Sequence, residues 1–170
     1  MDIGTEILLS SAYLPNIQYF SKLISGNKVY IEVHDNYQKQ SYRNRAVILS
    51  ANGPLNLVIP VIKPNGNNTK TRDIIIDYAP TWQQIHWKAI VSAYKHSPFF
   101  DIFEEELRPA FLKKEKFLLD WNFFMLDQIF AIAGIDIPYE RTSSFIATDN
   151  NNFEDFRDTI HPKSRMQKED

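Results

Sequence analysis

Apolar positions in the first third of the chain fall in short runs and alternations, which predicts β-strands separated by polar turns. The apolar run at 6–12 predicts a buried strand, and the alternation at 28–33 predicts a half-buried one. Between them Pro15 ends the first run, Asn16 can cap a short helix, and Gly26 can end it. Strand, helix and strand in this order predict a parallel βαβ unit. The predicted apolar face of the helix consists of Ile17, Phe20 and Ile24.

Further strands are predicted up to about residue 78. The segments 46–50 and 55–61 flank Asn52-Gly53-Pro54, a turn signal typical of a β-hairpin. Pro60 indicates an edge or a bulge in the second strand, because proline cannot donate to a strand ladder. A polar loop at 63–70 then precedes another predicted strand at 72–78.

From Pro80 onward the apolar spacing changes to that of helices. Thr81 with Gln84 fits a capping box at the start of a first helix. A second helix is predicted over about 99–112, interrupted at Pro109, and a third over about 116–133, ended by Gly134.

These elements predict an α/β fold with an N-terminal βαβ start, a mixed sheet and a hairpin, followed by a C-terminal helical half. We expect one domain over 1–154, with mainly strands and one helix in 1–80 and helices in 81–138. The charged segment 155–170 is predicted to be frayed.

Composition narrows the classes of protein. Hydrophobic residues make up 44% of the 170 residues, enough for a folded core. The net charge of −2 gives no electrostatic reason to expect nucleic acid or an anionic membrane as a partner. The absence of cysteine excludes disulfides, and no signal peptide is visible, so a cytoplasmic protein is expected. The apolar segment 117–137 carries several charges, which predicts a buried helix and not a membrane span.

Familiar catalytic and nucleotide-binding motifs are absent, and the sequence identifies no cofactor. The four histidines are widely spaced, so a metal site would require carboxylates brought together by the fold, and no metal site is predicted.

The densest polar segment is the loop predicted at 34–45. Two interpretations remain open: a solvated loop whose basic groups pair with nearby acids, or a site for a small anionic ligand. In the second, cations hold the anion and polar groups orient the substrate. The candidate binding residues are Asn36, Lys39, Ser41, Arg43, Asn44 and Arg45.

His86 is the candidate catalytic residue, because imidazole titrates in the range that suits a general base. It shares a helix face with Trp82 and Ile90, so a buried core histidine is the alternative interpretation.

A series of short motifs in the order and spacing found here resembles the WbqC-like family of bacterial proteins. The motifs are Tyr13-Leu14-Pro15, Tyr19-Phe20, the segment 36–45 ending in Ser41-x-x-Asn44-Arg45, Asn52-Gly53, the segment 57–61, His86, Tyr94, Pro98 and Phe99-Phe100.

The resemblance implies a role in surface-polysaccharide or O-antigen biosynthesis, where a transfer of an amino-acyl, glycyl or other acyl group to a sugar has been suggested. The expected substrate is nucleotide-activated or amino-acyl, and the alternative is a non-catalytic scaffold that binds other glycan-biosynthesis proteins. Members of this family usually continue beyond a pair such as Pro162-Lys163, so a truncated form is also expected.

Overall fold

The computed structural model of the protein describes residues 6–150 and 152–162. It confirms the predicted α/β class, with strands early in the chain and helices in the second half. The strands are β1 (Glu6–Ser10), β2 (Lys28–Glu32), β3 (Arg45–Ser50), β4 (Gly53–Val58), β5 (Val61–Ile62), β6 (Ile75–Ile76), β7 (Glu140–Arg141) and β8 (Phe153–Asp155). The helices are α1 (Ile17–Ser25), α2 (Trp82–Tyr94), α3 (Phe100–Leu107) and α4 (Leu118–Ala133).

The main sheet has four strands in the order β7-β2-β1-β8, and all of its pairings are parallel. The predicted βαβ unit is confirmed, since α1 connects β1 to its neighbour β2. In this register Ile7 lies opposite Val29 and Leu9 opposite Ile31, which places these apolar side chains on one buried face. Antiparallel pairing occurs instead in two separate ribbons, β3-β4 and β5-β6.

Helix α1 begins as predicted, because the Asn16 side chain accepts a hydrogen bond from the Tyr19 amide at 2.9 Å. The apolar spacing does not mark its buried face: Tyr19 and Leu23 are buried, Phe20 is partly buried, and Ile17 is 85% exposed. The Tyr19 hydroxyl donates to the Ser10 carbonyl oxygen at 2.9 Å, and this bond allows a tyrosine to occupy the inner face.

Helix α4 is apolar on nearly all sides because it lies between two buried clusters. One cluster joins α4 to β1, β2 and α1 through Leu119, Phe123 and Leu126. The other joins it to α2 and the β3-β4 ribbon through Trp121 and Met125. A helix that contacts apolar neighbours on both faces needs no polar stripe. Gly134 ends it in a left-handed conformation, as predicted.

Several local expectations differ from the structure. Thr81 makes no capping hydrogen bond through its side chain, so the predicted capping box is wrong. The predicted strand at 72–78 is reduced to β6, because a 3₁₀ turn (Thr71–Asp73) fixes the backbone before it. The second predicted helix ends at Leu107, and a 3₁₀ turn (Ala110–Leu112) follows Pro109.

The tail predicted to fray from residue 155 is packed as far as the structure describes it. β8 pairs with β1 in the sheet, and both Arg157 and Ile160 are at most 5% exposed. Hydrogen bonds of the Arg157 guanidinium and the apolar contacts of Ile160 hold this segment against the sheet. Residues 163–170 lie outside the described residues.

Gly26 follows α1 where the chain turns tightly onto the sheet. A Cβ added there would lie 2.8 Å from Val29 Cγ2 and 3.0 Å from Ile7 Cδ1, closer than packed carbons approach. We therefore expect Gly26→Ala to destabilise the protein by about 1 kcal/mol, since overpacking outweighs the reduced freedom of the unfolded chain. Urea unfolding measures the change in the free energy of unfolding. The control is Ser25→Ala, on the exposed side of α1, which should leave the stability nearly unchanged. Gly134→Ala cannot serve as the control, because Gly134 has a positive φ that alanine adopts only with strain. Equal stability of Gly26→Ala and Ser25→Ala would contradict the expectation.

Candidate functional site

A polar cavity of about 240 Å³ lies beyond the carboxyl ends of the parallel strands. The segments after β2 and β8 form its two main walls, and the segment after β7 completes it. In chain order, β2 and then β7 lie on one side of β1, whereas β8, the last strand, lies on its other side. Ligands of open parallel sheets bind where the strand order reverses in this way. The lining residues are Asp35, Asn36, Tyr37, Gln38, Arg43, Phe145, Thr148, Arg157 and Asp158.

The wall after β2 is organised around the buried guanidinium of Arg43. Its Nη2 donates to Asp35 Oδ2 and its Nη1 donates to Gln38 Oε1 at 3.2 Å. The other oxygen of Asp35 accepts from the Thr71 hydroxyl at 2.5 Å. Because Arg43 is only 1% exposed, this pairing fixes the loop in one conformation.

The wall after β8 is organised around a second buried guanidinium, Arg157. It donates to both oxygens of Asp155, to Glu32 Oε2 at 3.3 Å and to the Ile146 carbonyl at 2.8 Å. Glu32 has no exposed surface and also accepts from the Thr142 hydroxyl at 2.9 Å. Burial raises the pKa of Asp155, but the hydrogen bonds from Arg157 outweigh this effect and hold that pKa below its usual value.

A hydrogen bond joins the two walls: Gln38 Nε2 donates to Asp158 Oδ1 at 3.1 Å. The lining thus contains two guanidinium groups and two carboxylates, so its formal charges cancel. Tyr37 and Phe145 add aromatic surface. Burial raises the pKa of Tyr37 to about 12 although Arg43 and Arg45 lower it, so its phenol stays protonated at neutral pH.

The structure brings together only part of the predicted binding set. Asn36 and Arg43 line the cavity. Ser41 and Asn44 are buried within the loop itself: Ser41 Oγ donates to the Gln38 carbonyl at 2.7 Å, and Asn44 Nδ2 donates to the Ile59 carbonyl at 2.9 Å. Lys39 and Arg45 do not line the cavity.

His86 lies apart from this cavity, in the aromatic core. It is 4% exposed, its Nδ1 lies 3.0 Å from the Tyr13 hydroxyl, and its ring packs against Trp82 at 5.2 Å between centroids. Burial lowers its pKa to about 4, an effect that a hydrogen bond with the Val58 backbone partly opposes. These are the surroundings of a core histidine, and the general-base role predicted for it receives no support from this geometry.

Sequence reasoning missed most of the second wall. Phe145, Thr148, Arg157 and Asp158 belong to the part of the chain where the apolar pattern decays. The available signal was the sequence Asp155-Phe156-Arg157-Asp158, in which an arginine lies between two aspartates.

Two further observations concern metal binding and membrane spanning. Among residues 6–150 and 152–162, no group of three or more histidine, aspartate or glutamate side chains is placed to hold a metal ion. No helix in those ranges has the length and apolar character needed to cross a membrane.

The fold and cavity define a parallel α/β protein with a charge-balanced polar site at the carboxyl edge of its sheet. The model of the WbqC-like protein family matches residues 10–163, and the chain belongs to that family. The chain is 26% identical over 108 residues to the uncharacterized protein Rv1507c of Mycobacterium tuberculosis (strain ATCC 25618 / H37Rv). The match covers 64% of this chain and 46% of that protein, so the matched region spans about half of the relative's length. No solved structure matches the chain significantly.

Proposed function

We propose that the protein is a cytoplasmic transferase of bacterial surface-polysaccharide biosynthesis, which moves an amino-acyl or other acyl group to a sugar bound in the polar cavity. Membership of the WbqC-like family supports the biosynthetic setting. The observation that carries the proposal is the lining of the cavity: paired charges, amides and two aromatic rings held in fixed positions.

Such a lining suits a neutral, hydroxyl-rich ligand. Each sugar hydroxyl both donates and accepts, and planar carboxylate, amide and guanidinium groups match pairs of neighbouring hydroxyls. Because Arg43 and Arg157 are already paired with carboxylates, they have little charge to offer an anion. Their fixed positions reduce the entropy lost on binding. Tyr37 and Phe145 can pack against the apolar face of a sugar ring.

Within this proposal the exposed polar groups contact the substrate and the buried ones hold them. Asn36 orients the sugar by hydrogen bonds to its hydroxyls. Asp158, with one oxygen bonded by Gln38, uses the other to accept the proton of the sugar amine or hydroxyl. That group attacks the acyl carbonyl of an activated donor, the bond between the acyl group and its carrier breaks, and the carrier leaves with the bonding electrons. Arg43 acts as a positioning residue, because it fixes Asp35 and Gln38.

Calorimetric titration with glucosamine, N-acetylglucosamine and their UDP-linked forms tests the proposal. At least one sugar should bind saturably, and both Asn36→Ala and Asp158→Ala should weaken it by about tenfold, the effect of losing a hydrogen bond of about 1.4 kcal/mol. Lys39→Ala is the matched control, since Lys39 lies in the same loop but does not line the cavity. Equal weakening by Lys39→Ala would favour the anion site predicted from sequence, and no binding by any sugar would refute the proposal.

A scaffold role is the second candidate, because one surface carries exposed apolar groups. A groove of about 370 Å³ is lined by apolar side chains of α2, α3 and α4, and Phe99 and Ile102 beside it are 71% and 58% exposed. Exposed apolar surface of this kind commonly marks a protein interface. Affinity purification of the unmodified protein and of Ile102→Glu from the bacterial host tests the scaffold role. The unmodified protein should retain partner proteins that Ile102→Glu loses. Recovery of both as monomers would contradict the scaffold role.

A further inference from the structure

A second cavity, in the helical half, has a net positive lining, whereas the charges of the polar site cancel. It measures about 250 Å³ and lies between one face of α2 and the 3₁₀ turn that follows α3. We call it the Trp87 cleft. Its lining residues are Gln83, Gln84, Trp87, Lys88, Arg108, Phe111 and Leu112.

The Trp87 cleft has an aromatic wall held in place by the core. The Trp87 and Phe111 rings lie 5.5 Å apart between centroids at an angle of 43°. Phe111 is only 3% exposed, so it fixes the orientation of Trp87, which keeps part of its own surface open to the cleft. A partly open indole over a buried ring is a preformed surface on which a planar or saturated ring of a ligand can stack.

The polar groups of the cleft are cations and amides without a carboxylate. Neither Lys88 nor Arg108 forms an ion pair with any residue in the part of the chain that the structure describes. Gln83 Nε2 donates to the Lys113 carbonyl at 2.6 Å, which fixes that amide and leaves its oxygen as an acceptor. This lining differs from the polar site, where each guanidinium is already paired.

A neighbouring cavity of about 120 Å³ extends the same surface. It shares Gln83 and Gln84 with the Trp87 cleft and adds Tyr78 and Lys114. It too contains no acidic residue among its lining residues, and Lys114 lies over the Tyr78 ring at 5.4 Å. The continuous surface therefore presents three cations and no carboxylate to a ligand that covers both cavities.

From this lining we infer that the Trp87 cleft binds a phosphate ester carried on a ring, such as a sugar phosphate or a mononucleotide. The ring stacks on Trp87, and the phosphate dianion is held between Lys88 and Arg108, whose guanidinium fork fits phosphate oxygens. Gln84, which has no side-chain partner among the described residues, can bond the hydroxyls of the ring. This inference does not depend on the proposed transferase function, because it uses none of the residues of the polar site.

Tryptophan fluorescence provides the test. Trp82 and Trp121 are at most 2% exposed, and Trp82 lines only the neighbouring cavity. A ligand-dependent change in emission is assigned to Trp87 when it disappears in Trp87→Phe, which keeps a ring for stacking. Glucose 1-phosphate and adenosine 5′-monophosphate are the two ring-phosphate probes, and the stronger binder identifies the preferred ring. Glucose and inorganic phosphate each supply only half of the proposed ligand. We expect at least one ring phosphate to bind saturably and more tightly than both halves.

Variants assign the binding to the cleft. Arg108→Gln, at an exposed position, should lower the affinity for the ring phosphate by about tenfold. This is the effect of losing a charge-assisted contact of roughly 1.4 kcal/mol. Lys95→Gln is the matched control: it removes the same charge just after α2 and lines neither cavity. Asn36→Ala, in the polar site, should leave the fluorescence titration with the ring phosphate unchanged, whether or not a sugar binds in the polar site. Absence of saturable binding by both ring phosphates, or equal weakening by Arg108→Gln and Lys95→Gln, would overturn the inference.

Discussion

Replacing Arg157 with alanine is expected to destabilise the protein by about 3–5 kcal/mol, because it leaves buried carboxylates without their partner. Arg157 is 5% exposed and donates to Glu32 and to both oxygens of Asp155. Glu32 has no exposed surface in the intact protein, and Arg157 is the cation that pairs with it there. The same substitution removes one wall of the polar cavity and should abolish sugar binding there.

Urea unfolding followed by circular dichroism measures the loss. Lys28→Ala provides the matched comparison, since it removes a cation paired with Glu140 at 3.3 Å on the surface of the same sheet. Solvent screens that pair, so the unfolding midpoint of Lys28→Ala should stay close to that of the unmodified protein. If the unfolding midpoint of Arg157→Ala is as close to that of the unmodified protein as the midpoint of Lys28→Ala is, the buried network contributes little to stability.

The stability of the protein is expected to fall by about 2 kcal/mol between pH 7 and pH 5 because of His86 alone. Burial lowers the pKa of His86 to about 4, below the 6.5 of a histidine in the unfolded chain. Between these two values the unfolded chain binds a proton that the folded protein does not bind. The stabilising effect is therefore complete above pH 6.5 and is lost as the pH falls toward 4.

The difference in pH dependence between the unmodified protein and His86→Gln isolates this effect. Both proteins contain the same carboxylates, whose titration cancels in the comparison. We expect urea unfolding at intervals from pH 7 to pH 5 to show that the free energy of unfolding falls more steeply for the unmodified protein than for His86→Gln. Parallel curves would mean that folding does not shift the pKa of His86, which would also reopen its candidacy as a general base.

Regular patterns in the sequence predicted the elements that depend on local interactions. Asn16 caps α1 and Gly134 ends α4 because each role uses one residue and its immediate neighbours. The alternation at Val29 and Ile31 predicted β2 because one face of that strand is buried. The family resemblance, carried by a series of motifs, was confirmed over residues 10–163.

The remaining errors come from contacts between distant parts of the chain. β7 and β8 have two and three residues, too few for an apolar period, and they form only because β2 and β1 offer free edges. Ile17 belongs to the apolar spacing of α1 but is exposed, because the helix turns Tyr19 toward the sheet, where the tyrosine hydroxyl donates to a carbonyl oxygen. For Arg43 the sequence left two interpretations open, an anion ligand or a partner of nearby acids, and its bonds to Asp35 and Gln38 fit the second.

The order of strands in the main sheet also determines when the polar site can form during synthesis on the ribosome. β1, α1 and β2 are adjacent in the chain and can associate early, with the loop that carries Arg43 following directly. The opposite wall, with Arg157, is translated more than a hundred residues later and must reach back to the edge of β1. Until then β1 has a free edge and Glu32 lacks its cation, so the nascent chain exposes a strand that can pair wrongly with other chains. Completion of the polar site and protection of the β1 edge therefore both wait for the synthesis of β8 and Arg157.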